Sequence, residues 1–472
     1  MDIAIVAAAL AVAAAIGFAI GKRYARRYQR ARRIHIDRFK LKRQHADIEL
    51  EVFASREVVE AVRDYAKHNH LSTEEAMRQA RTYLREIVPK FNLLAYYRFG
   101  APIARAIMYF LYRPVVDRAP LQLFNSRAPK GSVVVYVINH RSNADYVLVA
   151  HMLFKFISLS YAVGEWARVW PLNHLFKWFG AYFIRRRYRE PLYHAILSNF
   201  VRTITRNGVT QGIFIEGGLS RDGAFGKPKL GMLDYIVSAK RDPEFTAPLF
   251  IIPTAINYDR VLEDRNLTEE LLGIEDRSTK LEKLNTTLEF LFKNTVRSMV
   301  RRFKRYGYAI VSFGPPISVD DFVREQPTIL SPDFATRKPA LQNLAEAVMA
   351  EISRALPVTP VALAARVFAE SEGVTLSDDE LAARIERAAL GRISLLREKT
   401  GAGIWSSARE VLLLRRLIEL HDGKWCWSSK ERLVRDYYAS SLLSFEEVKR
   451  RGWPDASTEP ATAAALTAAP AG

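Results

Sequence analysis

The run SVVVYVINHRSNAD, residues 132–145, changes character half-way along. Its first seven residues are mostly β-branched and aromatic, and they read as a buried strand. The polar stretch that follows, Asn139-His140-Arg141-Ser142-Asn143-Ala144-Asp145, reads as a strand-to-helix turn. Ser142 or Asn143 is available as N-cap, and Asp145 falls in the first helical turn. A strand end that opens on a helix N-terminus is where α/β folds expose reactive groups and bind anions. From that turn Asp145 reaches one ring nitrogen of His140 and fixes its tautomer. The other nitrogen is left to take a proton from an alcohol.

Working outward, QGIFIEG (211–217), PLFIIPTAI (248–256) and YAIVSFG (308–314) are further short strand-like runs separated by helical stretches. Together they predict an α/β domain with a mostly buried sheet over residues 126–325. Residues 23–125 read as a basic juxtamembrane and helical region, with Ser72-Thr73-Glu74-Glu75 as one helix start. Within it, residues 91–116 are apolar and aromatic with Arg98, Arg105 and Arg113, which suits either a core helix or an interfacial one. After a proline-containing linker (326–334), residues 335–452 read as a C-terminal helical region. Residues 453–472 form a low-complexity tail expected to be disordered.

The chain has 472 residues, 70 Lys plus Arg, 51 Asp plus Glu and a formal charge of +19. Its 49% hydrophobic content can fill a large core, which excludes global disorder. The single cysteine, Cys426, excludes a disulfide framework and reads as a buried small hydrophobe between two tryptophans. The charge is uneven. Ile3–Ile20 carries none and would form a helix about 27 Å long, close to the thickness of a bilayer core. Residues 21–43 then carry eleven Lys or Arg against Asp37 alone. Basic residues on that side of an apolar helix stay cytoplasmic and bind anionic headgroups, so residues 1–22 are expected to be a retained anchor. The expected localisation is the cytoplasmic membrane, with the body of the protein facing the cytoplasm. Nucleic acid is not an expected partner.

No G-x-S-x-G elbow, Walker A loop, G-x-G-x-x-G or H-E-x-x-H spacing occurs, so no covalent nucleophile, cofactor or metal is expected. Direct attack by a bound hydroxyl fits these residues. Four segments in order then resemble the glycerolipid acyltransferases: Asn139–Asp145 their His-x4-Asp block, Gly180–Arg186 their second, Phe214–Gly218 with Ser220-Arg221 their third, and Ile252-Pro253 with Asn257–Arg260 their fourth. The forms of these blocks are most similar to the glycerol-3-phosphate and dihydroxyacetone-phosphate acyltransferase branch.

The resemblance implies acyl transfer from acyl-CoA or acyl-carrier-protein to the sn-1 hydroxyl of glycerol 3-phosphate, giving lysophosphatidate. It implies His140 as general base and Asp145 as its orienting partner. Arg185, Arg186, Arg221 and Lys229 become candidate phosphate ligands. Glu216, Gly217, Gly218 and Ser220 would form the acceptor site, and Pro253 would shape the acyl or thioester site. One position departs from the family: the arginine common after the two glycines is Leu219 here, which leaves dihydroxyacetone phosphate or lysophosphatidate as alternative acceptors. The rival from a different class is a membrane protein that binds lipid without catalysis. His140 and Asp145 speak against it.

Overall fold

The computed structural model describes residues 45–88, 101–153, 160–163, 182–183, 188, 190–271, 305–389 and 393–453. The expected anchor, the basic run after it, Arg185, Arg186 and the tail beyond Trp453 lie outside the described residues. No helix among the described residues is long and apolar enough to cross a membrane.

The opening strand is β2, Val133–Ile138, and it sits mid-sheet. With β1 (Arg113–Val116), β3 (Ser160–Val163), β4 (Tyr182–Phe183), β5 (Gln211–Phe214), β6 (Leu249–Tyr258), β7 (Tyr308–Phe313) and β8 (Ile317–Ser318), the order is β1-β7-β6-β2-β5-β3-β4, and β8 pairs with β6. β2 runs parallel to both β5 and β6. β6 meets β7 and β8 antiparallel. The central pairings are thus those of a helix-covered parallel sheet.

Side chains of β2 alternate between two apolar layers. Val133, Val135 and Val137 join Ile213 and Ile251 under the helices His45–Phe53, Arg56–His68, Thr73–Ile87, Pro191–Arg206 and Phe334–Arg354. Tyr136 and Ile138 face the other way, with Ile252 and Ile256, toward Ala101–Leu111, Asp145–Leu153, Pro360–Glu370, Gly401–Leu414 and Arg432–Ser440. This period of two lets one strand serve both cores. Each fully buried aliphatic side chain there contributes roughly 1.5–3 kcal/mol.

Three expectations need correction. Residues 91–116 do not continue as helix to their end: the helix stops at Leu111, and Arg113–Val116 is strand β1, parallel to β7. Pro114 pushes Arg113 into extended backbone and has no N–H for a helix. The sheet therefore begins before residue 126. The C-terminal region holds a hairpin, β9 (Ile418–His421) and β10 (Lys424–Trp427), as well as helices. Its turn residues Asp422 and Gly423 have φ of 48° and 74°, as a two-residue type I′ turn requires. Cys426, on β10, is only half-buried.

Candidate functional site

The site is built where β2 stops and its neighbour continues. The last register pair between β2 and β6 is Ile138–Thr254. Asn139 then extends the ladder with its side chain: its amide nitrogen donates to Ile256 O (3.0 Å), and Ile256 N donates to its Oδ1 (2.7 Å). This fixes the backbone immediately before His140.

His140 is 1% exposed, and its Nδ1 lies 2.9 Å from Asp145 Oδ2. The same carboxylate oxygen accepts from the backbone N–H of Arg141 (2.8 Å) and Ser142 (3.1 Å), while Oδ1 accepts from the Tyr258 hydroxyl (2.6 Å). A carboxylate can only accept, so the ring nitrogen facing it carries the proton and Nε2 is the basic one. Burial holds the Tyr258 phenol well above its usual range and so keeps it a donor. The His140 ring stacks on Phe214, centroids 4.1 Å apart, with Tyr146 edge-on at 5.6 Å. These two rings, 5.0 Å apart from each other, restrain its plane.

The turn after β5 holds this arrangement from below. Glu216 Oε1 accepts from His140 N (2.8 Å) and Oε2 from Gly226 N (2.6 Å), and Ser220 N donates to His140 O (3.1 Å). Burial raises the Glu216 carboxyl to about 7, against the opposing pull of the Arg141 charge and those two bonds. Gly217 has φ of +69°, and a Cβ there would come within 2.9 Å of the Lys229 side chain, so both backbone and space favour glycine. Glu263 braces the other flank, accepting from Ser142 Oγ (2.7 Å) and Asn143 N (3.3 Å); burial raises its carboxyl also to about 7.

The expected residues therefore separate. His140, Asp145, Glu216 and Ser220 come together, with Gly217 and Gly218 in the supporting turn and Pro253 buried in β6 opposite Val137. Arg221 and Lys229 do not converge on the imidazole. Arg221 is exposed and pairs with Glu270 at 3.1 Å, and Lys229 is exposed with its stem over Gly217. Leu219 packs against the apolar core. The residue that motif reading passed over is Arg141. It is 1% exposed, its Nη1 reaches Ala224 O at 3.4 Å, and its guanidinium lies over the Phe225 ring at 5.2 Å. Its Nε and Nη2 have no hydrogen-bond partner among the described residues. A buried cation with unmet donors is costly unless an anion completes it.

Spacing in the sequence offered no metal motif, yet the β9–β10 hairpin brings ligand atoms of Glu419, His421 and Cys426 within 4.8 Å of one another. His421 Nε2 is already 3.4 Å from a Glu419 oxygen there.

The acyltransferase profile matches residues 124–257, and the profile for the C-terminal region of glycerol-3-phosphate acyltransferases matches residues 292–439. Glycerol-3-phosphate acyltransferase of Haemophilus influenzae (strain PittEE) is 29% identical over 343 residues, 69% of this chain and 40% of that protein. The enzyme of the same name from Aeromonas hydrophila is 27% identical over 340 residues, 70% of this chain and 40% of its own. Over these residues the chain is similar to glycerol-3-phosphate acyltransferases. It spans about two fifths of the length of these relatives. The crystal structure of the 1-acyl-sn-glycerophosphate acyltransferase of Thermotoga maritima aligns at TM-score 0.30 and 17% identity, covering 64% of this chain and 86% of that one.

Proposed function

We propose that the chain is a membrane-bound acyltransferase that moves a fatty acyl group from an acyl-CoA or acyl-carrier-protein thioester to the sn-1 hydroxyl of glycerol 3-phosphate. The observation that carries this reading is His140 Nδ1 held 2.9 Å from Asp145 at the carboxyl end of β2. His140 Nε2 takes the proton of the acceptor hydroxyl as its oxygen attacks the thioester carbonyl carbon. The C–S bond breaks, and the departing thiolate takes that proton back from the imidazolium. A positioned base of this kind is worth roughly 10²- to 10⁴-fold. The unmet donors of Arg141, one residue from the base, suit the acceptor's phosphate, and Arg185 and Arg186 supply further cations. Glu216, Gly217, Gly218 and Ser220 form the acceptor side, and Pro253 shapes the acyl or thioester site. The apolar run 3–20 and the basic run after it support a setting at the cytoplasmic face of an anionic membrane.

A second reading, acylation of dihydroxyacetone phosphate or lysophosphatidate, is favoured by Leu219, whose side chain puts no cation beside the two glycines. The test offers all three acceptors with one long-chain thioester and follows radiolabelled product. Glycerol 3-phosphate is expected to be the best acceptor. Turnover of another acceptor with none of glycerol 3-phosphate overturns the assignment.

A further inference from the structure

Past Tyr258, whose hydroxyl holds Asp145, the chain turns through Arg260 and Glu263 into the helix Asp264–Leu271. Beside this segment lies a cavity of about 300 Å³, lined among others by Arg260, Asp264, Arg265, Arg415 and Arg416. Four arginines and one aspartate line the same small volume. Arg415 is held by Asp264, Nη2 to Oδ2 at 2.7 Å, and donates from Nη1 to the Tyr438 hydroxyl at 3.1 Å. Arg265 is forked onto Glu431, with contacts of 2.6 and 3.2 Å. The Arg260 guanidinium lies over the Tyr306 ring at 3.9 Å. Asp264 is thus spent on Arg415, and Glu431 on Arg265.

Arg416 stands out for a separate reason. It follows the helix Gly401–Leu414 at the position where the backbone turns left-handed, with φ of 56°. Arg416 N donates to Leu413 O (3.1 Å) and Leu417 N to Leu412 O (3.0 Å), the paired bonds of a Schellman ending. Glycine is the usual residue there, because a Cβ strains that conformation. The chain instead places an exposed arginine at the cavity, and no ion pair involving it occurs among the described residues. Strain of this kind concentrates at ligand sites.

We propose that this cavity binds the phosphorylated nucleotide end of a coenzyme A thioester, the acyl donor of the reaction proposed above, on which this inference rests. Clustered guanidinium forks match phosphate oxygens. A concave site of this volume suits a small polyanion. An acidic carrier protein would need a broad face, about 800 Å² per partner in a standard interface. β6 runs parallel to β2, so its carboxyl end, from which Arg260 follows, lies on the same side of the sheet as His140. A donor can thus lie along the 258–264 segment, its nucleotide on the arginines and its thioester toward the imidazole.

The test titrates adenosine 3′,5′-bisphosphate calorimetrically into the full chain and into Arg416→Gly. Glycine relieves the left-handed strain, so the variant is expected to melt at the same temperature or higher. It is expected to bind the bisphosphate at least about tenfold more weakly, the loss of one charge-assisted contact. In turnover, KM for palmitoyl-CoA should rise by a similar factor, with KM for glycerol 3-phosphate unchanged. With palmitoyl-pantetheine, which lacks the nucleotide, variant and wild type should be equal. Absence of bisphosphate binding to wild type, equal binding by the variant, or an equal defect with the truncated donor each overturns the proposal. Sensitivity of acyl-carrier-protein turnover to Arg416, without bisphosphate binding, assigns the cavity to the protein donor and also overturns it. The calorimetric result needs no turnover, so it stands apart from failure of the acceptor assignment.

Discussion

Two turns leave the sheet side by side, one after β2 and one after β5, and they divide the work differently. In the proposed reaction the β2 turn carries the chemistry, presenting His140 against a carboxylate that accepts four hydrogen bonds. The β5 turn holds the first turn in place: the Glu216 side chain accepts from the His140 backbone N–H, and the Ser220 backbone N–H donates to the His140 carbonyl. Its cations turn elsewhere. Adjacent blocks of one motif set can therefore point their side chains differently, and a place in sequence beside a glycine pair does not bring Arg221 to the imidazole.

The largest effect should come from the β2 turn. His140→Ala removes the imidazole held by Asp145 and should lower turnover by at least about 10²-fold. Circular dichroism and membrane association should stay as in wild type, since the sheet and the N-terminal charges are untouched. A variant within tenfold of wild type would end the base assignment, and with it the claim that the two turns differ in kind.

How much of this was readable beforehand follows the same division. β2, β5, β6 and β7 were legible because buried strands are short, apolar and bounded by turn residues. His140 and Asp145 were legible because their contact is five residues apart. Arg113–Val116 was hidden in an aromatic run, although Pro114 marked the break. Asp422-Gly423 was a hairpin signal overlooked inside a helical region. Tyr258 and Glu263 were not legible as partners at all, since their contacts with Asp145 and Ser142 span 113 and 121 residues. Arg141 was visible as a letter, but its burial with Nε and Nη2 unpaired among the described residues is a property of the packed loop at Ala224 and Phe225.

A smaller effect should come from the support. Glu216 and Glu263 are raised to about 7 by burial, as is Asp259, whose oxygens accept from Tyr308 N and Val361 N. Their unfolded values are those of ordinary carboxylates, near 4. Between about pH 4.5 and 7 the folded chain therefore retains protons that the unfolded chain has released, so stability falls as pH rises through this window and levels off above it. Melting temperatures from pH 5 to 8 should show that fall. Glu216→Gln should flatten it, although the side-chain amide cannot accept from both His140 N and Gly226 N and turnover should drop several-fold. An unchanged slope in the variant would remove Glu216 from the titrating set.

The smallest effect should be at Arg221, and it tests the comparison most finely. Family resemblance makes Arg221 a phosphate ligand, whereas the β5 turn points it at Glu270 with half of its side chain exposed. An exposed pair of this kind contributes about 0–1 kcal/mol to stability. Arg221→Ala should accordingly shift the melting temperature little and leave KM for glycerol 3-phosphate within about threefold of wild type, less than the loss of a charge-assisted phosphate contact would cause. Arg141→Gln, by contrast, removes a buried guanidinium whose Nε and Nη2 await partners, and its KM for the acceptor should rise by at least tenfold. If the order is reversed, with Arg221 dominant, the β5 turn swings inward when substrate binds. Support and chemistry would then be shared between the two turns.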